Sequence, residues 1–168
     1  MYEIIYNSQG EKKGIKKGNL FIPISEDNRH YKQYLIDVEN GVEVIDNPPS
    51  TADILAVKKE QKINEIDNKT SQLIESGFTW NNILFSFSKN AQLNWLGLLN
   101  IKSTLTYPYE IGKKEGGSYN IQDGTEMDYF LNSAIVHKES HIATGRAMQN
   151  QVLDCTTIEQ LNSIVDNR

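Results

Sequence analysis

Apolar and polar positions alternate in the first 24 residues: Tyr2, Ile4 and Tyr6, then a polar break at Asn7-Ser8-Gln9-Gly10, then Ile15, Leu20, Ile22 and Ile24. A period of two predicts two β runs around a glycine-containing turn, a hairpin, with Pro23 tolerated only near an edge because it has no N–H to donate. The period then changes. Ser25-Glu26-Asp27-Asn28 supplies N-cap chemistry, and Tyr31, Tyr34, Leu35 and Val38 follow at i, i+3, i+4 and i+7, which predicts a short helix through residue 39, closed by Asn40-Gly41. Its apolar stripe needs a surface, and the hairpin is the nearest.

Asp46-Asn47-Pro48-Pro49-Ser50 is the clearest boundary, since consecutive prolines stop a helix and force an extended link. It divides the chain into a docking module over residues 1–47, a proline linker at 48–50 and a helix-rich module over 51–168. A helix is expected over 51–76, capped in front by Ser50 or Thr51 and closed by Gly77. On it Ala52, Ala56, Lys59, Ile63, Ile66, Thr70 and Leu73 alternate in steps of four and three, a heptad seam interrupted by Lys59 and Thr70. The seam either packs on the rest of the chain or pairs copies of it through Ala56, Ile63, Ile66 and Leu73, and a trimer is the favoured self-assembly.

Residues 78–87 hold aromatic and branched side chains on both sides of Asn81-Asn82, the pattern of a tight hairpin. Ser88 opens a helix to about residue 103, with Leu93, Trp95, Leu96 and Leu99 expected toward the core. Residues 104–124 read as a long loop with one strand, Tyr119-Asn120-Ile121. Thr125 then caps a long helix through residue 153, with Met127, Phe130, Leu131, Ala134 and Ile135 as its first apolar turns and Gly145 as a possible bend. A last helix over 157–165 packs back through Leu161, Ile164 and Val165. The expected class is α+β: an N-terminal β-hairpin plus helix, then a helix-rich module with a second β-hairpin and a long C-terminal helix.

Charge changes the picture by exclusion. Lys and Arg total 17 against 22 Asp and Glu, a net −5. That balance argues against nucleic acid, whose binding needs clustered excess cations. One cysteine, Cys155, permits no internal disulfide, which suits a reduced compartment. The first residues lack the pattern of a signal peptide, and no apolar run approaches the ~20 residues of a membrane span, so synthesis in a cytoplasm and no membrane span are expected.

Candidate chemistry is sparse. His137 and His141 stand one helical turn apart, the spacing of zinc-binding helices, and a metal-dependent hydrolase built on them is the enzymatic alternative. Against it, Glu139 is two residues past the first histidine, where the metalloprotease pattern needs a glutamate directly after it, and only His30 remains as another imidazole. Gly112-Lys113-Lys114-Glu115-Gly116-Gly117 lacks the Gly-Lys-Ser/Thr ending of a phosphate loop and reads as a flexible exposed turn. Cys155 has Asp154 beside it, which opposes thiolate formation. The expectation is therefore no catalytic residue, no metal and no cofactor. Tyr107, Tyr109 and Trp80 are candidates for an aromatic binding surface, set against plain local packing.

Ile22-Pro23-Ile24, Asn28-Arg29-His30-Tyr31-Lys32-Gln33-Tyr34, Asn40-Gly41 and the proline linker together resemble a segment that recurs in tail fibre and tail assembly proteins of tailed bacteriophages. The Lys/Glu-rich helix, Gly77-Phe78-Thr79-Trp80 with Phe85-Ser86 and Gln92, and the ending Thr156-Thr157-Ile158-Glu159-Gln160-Leu161 are similar to an uncharacterised carboxy-terminal domain of such proteins. Where these commonly carry a tryptophan after the Tyr-x-x-Tyr helix, this chain has Ile36-Asp37-Val38; where they carry Gly in the hairpin, it has Asn81-Asn82. The resemblance implies a non-enzymatic structural or adaptor protein of the virion's tail fibre or baseplate region, or a fibre assembly chaperone that leaves before the virion is finished. The implied partners are other tail proteins. Asn28 as cap, Arg29 toward a carboxylate or carbonyl, and Tyr31 and Tyr34 as anchors form the expected docking element.

Overall fold

Gly18, at φ +58°, decides why the N-terminal apolar run becomes three strands rather than two. Its left-handed backbone turns the chain back on itself, an arrangement that costs glycine no side-chain clash. In this computed structural model, which describes residues 1–168, β1 (Tyr2–Tyr6), β2 (Lys12–Lys17) and β3 (Leu20–Pro23) form an antiparallel meander. The register aligns Ile4 with Ile15 and Ile15 with Ile22, so one face carries a continuous isoleucine row. Helix α1 (Arg29–Glu39) then crosses over to β4 (Val44–Ile45), which pairs parallel with β1 and completes the sheet order β3-β2-β1-β4. A parallel neighbour requires such a crossover, which the hairpin expected from sequence did not include.

α2 (Thr51–Glu75) begins at a reciprocal cap: Asp53 N–H donates to Ser50 Oγ at 3.1 Å, and Ser50 N–H donates to Asp53 Oδ2 at 3.1 Å. The chain divides into two compact units, and the division falls within this helix. One unit holds residues 1–61 with 155–163, and the other 62–154 with 164–168. The first is cored by Tyr2, Ile15 and Ile22, with Tyr31, Tyr34, Val42 and Val44 packed against them. It also contains α5 (Ile158–Ser163), capped by Thr157 and Gln160 and holding the buried Leu161.

In the second unit, β5 (Phe78–Trp80) and β6 (Ile83–Phe85) form the expected tight hairpin. Asn81 and Asn82 sit at φ 49° and 60°, the left-handed pair that a two-residue type I′ turn demands and that asparagine tolerates. Ser88 caps α3 (Lys89–Ile101), followed by one 3-10 turn. The stretch expected as a loop with one strand is a second hairpin, β7 (Tyr109–Gly112) with β8 (Ser118–Ile121). The missed strand Tyr109-Glu110-Ile111-Gly112 follows a proline and offers only Ile111 as a buried residue, too little pattern to read.

α4 (Gly124–Asp154) is capped by Asp123, whose Oδ1 accepts the Glu126 N–H at 2.8 Å, and not by Thr125. Met127, Phe130, Leu131 and Ala134 are buried as expected, whereas Ile135 is 45% exposed and Val165 64%. Gly145 is buried, and a methyl placed there would lie 2.5 Å from Thr70 Oγ1 of α2 and 3.4 Å from its methyl. The glycine sets a close approach of the two helices. Arg168 fills the same notch, donating to Thr70 Oγ1 at 3.1 Å while its Nη2 pairs with Asp166 at 2.6 Å.

Gly145→Ala would add about 1 kcal/mol of helix propensity, but the steric conflict with Thr70 outweighs it at about 1–3 kcal/mol. The variant is expected to lower the urea midpoint, and Thr70→Ala in the same chain to restore part of the loss. A stabilised single variant would show that the helices separate freely.

Candidate functional site

The segment expected to dock begins with Asn28, whose Oδ1 accepts the N–H groups of His30 at 2.9 Å and Tyr31 at 3.2 Å, so the cap is made as the sequence indicates. Arg29 is exposed and its Nε donates to the neighbouring His30 ring at 3.3 Å. Tyr31 and Tyr34 stack on each other with ring centroids 5.9 Å apart, and Tyr34 meets the edge of Tyr2 at 5.0 Å. Both tyrosines therefore anchor α1 to its own sheet.

The roll of α1 differs from the expected stripe, and a polar cluster explains it. Asp37 accepts the Tyr2 hydroxyl at 2.5 Å, the Gln33 amide at 2.7 Å and the Lys17 ammonium at 3.2 Å, while Lys17 lies over the Tyr2 ring. Facing Asp37 to the sheet turns the opposite flank outward. Leu35, Ile36 and Val38 are 45%, 50% and 38% exposed. Two of the four stripe residues, Leu35 and Val38, are thus not core. On β3, Leu20 and Phe21 are 44% and 48% exposed, and Ile24 just beyond it is 42% exposed.

The hydroxyl of Tyr2, with Gln33 and Lys17 behind it, holds the Asp37 carboxyl down to about 2. Tyr6 donates to Asp46 in the same unit.

The aromatic residues of the second unit are occupied internally. Trp80 meets Tyr119 and Phe130 edge-on at 5.3 and 5.4 Å. The Tyr107 hydroxyl donates to the Lys102 carbonyl at 3.1 Å, and Tyr109 is half-buried opposite Ile121 in the β7–β8 ladder. Local packing accounts for all three. The Gly112–Gly117 segment is the turn of that hairpin, and it is tied down: Lys114 N–H donates to the Leu84 carbonyl at 3.0 Å and its ammonium to the Ser76 carbonyl. The exposed turn expected there is present, and it is laced to β6 through Lys114.

His137 and His141 are neighbours, their rings edge-on at 4.6 Å, and His137 also meets Phe78 and Phe87. Burial, then the second imidazole, keeps His137 below the usual histidine range, opposed by a hydrogen bond with the Ile74 backbone. Its Nε2 is buried without a partner. Nowhere do three His, Cys, Asp or Glu side chains converge as metal ligands. Cys155 is buried.

On α2, Ile66, Thr70 and Ile74 form the buried row, of which Ile66 and Thr70 are seam positions; Ala56 is exposed and Ile63 and Leu73 are half-buried. Ile66 is 1% exposed, so it has no surface left for a second copy.

Sequence reasoning missed the roll of α3. Leu93 and Leu96, expected inside, are 66% and 58% exposed, while Trp95 and Leu98 take the core. The signal was present in the spacing: at 100° per residue, Ala91, Leu93, Trp95, Leu96, Leu98 and Leu99 cover more than half of the helix circumference, more than one core face can bury. No helix of the chain is long and apolar enough to cross a membrane. In comparisons with family models, curated proteins and solved structures, nothing matches the chain.

Asp37 has a folded-state pKa below its unfolded one, so its contribution is present above the unfolded value, about 3.9 for a free aspartate. It is lost as pH falls from there toward about 2. Asp37→Asn is expected to lower stability at pH 7 and to flatten the decline between those two pH values. Equal acid sensitivity in both proteins, followed by circular dichroism, would remove Asp37 from this role.

Proposed function

We propose that this chain is a non-enzymatic protein of a bacteriophage tail, a structural or adaptor component of the fibre or baseplate region that grips another tail protein through its N-terminal unit. The residues that resemble tail fibre and tail assembly proteins, Asn28 to Tyr34 above all, supply the tail context. The observation that carries the reading is the outward flank of α1. Leu35, Ile36 and Val38 stay 38–50% exposed beside a helix whose tyrosines are already used, and Leu20, Phe21 and Ile24 in the same unit are similarly exposed. Apolar surface left uncovered on a small, otherwise well-anchored unit is the usual mark of a protein contact. Recognition accordingly shifts from Tyr31 and Tyr34, which hold the element, to the leucine, isoleucine and valine that it presents.

Quantitative mass spectrometry of salt-washed phage particles is the test. A fixed, symmetry-compatible ratio to the tail tube protein is expected. Absence from particles, with recovery beside the fibre protein in infected-cell lysate, would instead make the chain an assembly chaperone. A Leu35→Asp/Val38→Asp variant is expected to keep its far-UV circular dichroism and to lose at least about tenfold in incorporation, the size of a loss of roughly 1.4 kcal/mol in binding. Undiminished incorporation would overturn the assignment of that flank.

A further inference from the structure

His137 sits where α4 meets the end of α2 and the β5–β6 hairpin. Its ring lies 6.1 Å from that of Phe78 and 5.6 Å from that of Phe87, two core residues only 2% and 4% exposed. The ring has one polar anchor, the Ile74 backbone. Because Nε2 has no partner, that bond belongs to Nδ1, which donates its hydrogen to the Ile74 carbonyl. Nε2 is therefore the bare nitrogen of a neutral imidazole, and it is the atom that a proton would join.

We propose that His137 is an acid-sensitive latch: its neutral ring holds the middle of α4 to the end of α2 and to Phe78 and Phe87, and a proton on Nε2 opens it. A new N–H there has no acceptor, and a buried charged donor without a partner is far more unfavourable than a neutral one. The His141 ring stands edge-on at 4.6 Å, and a charge on either imidazole opposes a charge on the other.

No carboxylate offsets this. β5 contributes only Phe78-Thr79-Trp80, while Glu75, next to Ile74 on α2, faces Lys89 of α3 at 3.8 Å. Lys114 donates to the Ser76 carbonyl. Arg168, which reaches the His141 carbonyl at 3.5 Å, is a further cation and pairs with Asp166 at 2.6 Å. Lys138 and Glu139 follow on α4 itself, turned about 100° and 200° from His137 around the helix. The proton's charge is thus satisfied only in water, and the ring reaches water by leaving Phe78 and Phe87 and giving up the Ile74 bond.

The direction with pH follows. Burial, then His141, sets the folded value below the ordinary one, so the opened or unfolded chain binds more protons. The latch contributes fully above the unfolded value, about 6.5 for a free histidine, and is lost as pH falls from there through the folded value. The Asp37 contribution is lost only at lower pH, toward about 2, so the two effects separate.

Urea unfolding of the full chain at pH 7 and pH 5, beside an NMR titration of its histidines, His30, His137 and His141, tests the proposal. The unfolding equilibrium constant is expected to rise severalfold between the two, up to a ceiling of about 25-fold for one histidine absent from the folded titration. In the NMR titration His137 is expected to take its proton below the free-histidine value, and His141→Asn to move it upward. His137→Asn, whose amide can still donate to the Ile74 carbonyl, and His137→Phe, which keeps a ring beside the phenylalanines, are each expected to lose most of the pH dependence. That readout is a ratio between two pH values, so it holds whatever the variants' stability at pH 7. His30→Asn is expected to keep the dependence. A His137 that titrates at or above the free value, as a cation held by aromatic rings would, overturns the proposal. So does a pH dependence that persists in both His137 variants or disappears in the His30 variant.

Discussion

Phe130 is the point on which the second unit converges. It is fully buried, with the rings of Phe85, Phe78, Trp95 and Trp80 at 5.0 to 5.4 Å, all of them tilted or edge-on, the arrangement that aromatic quadrupoles favour. These partners come from both strands of the first hairpin and from α3, so one side chain of α4 ties three elements together. The Asn81-Asn82 turn is what allows it, since it sets Phe78 opposite Phe85. Once Trp95 is committed to Phe87 and Phe130, α3 has no remaining freedom to roll, and the leucines on its far side face outward. The exposure of Leu93 and Leu96 is a consequence of the aromatic core rather than a separate feature.

The first unit follows the same logic with a different currency. Its small core of Tyr2, Ile15 and Ile22 does not by itself decide which side of α1 faces the sheet. Asp37 decides it by gathering donors from Tyr2, Lys17 and Gln33, and the tyrosines are carried inside with it. In both units, a few specific contacts orient a helix whose apolar residues outnumber the places available for them.

The sequence was readable where the determinant is local. Caps at Asn28, Ser50 and Ser88, the turn at Asn81-Asn82, the ends of α2 and most of the buried face of α4 each depend on residues within a turn or two of one another. It was not readable where distant segments compete. β4 is two residues long and exists only because β1 accepts a parallel neighbour; β7 is a strand because β8 pairs with it. Helical roll is the harder case, since Leu35, Val38, Leu93 and Leu96 satisfy an amphipathic pattern as well as the residues that won the core. Those four positions, misplaced by periodicity, are exposed. The His137–His141 spacing was equally visible, but its setting among Phe78 and Phe87 was not.

The edges of the N-terminal sheet have one more effect. At one margin β4 offers a ladder of only two residues, and at the other β3 runs for four and closes on Pro23, which lacks an N–H. A foreign strand laid along either margin would find few bonds to share. Growth of the sheet from molecule to molecule, the first step toward fibrous aggregates, is starved of backbone partners. A unit that leaves apolar side chains exposed can thus stand at high local concentration without its sheet edges joining.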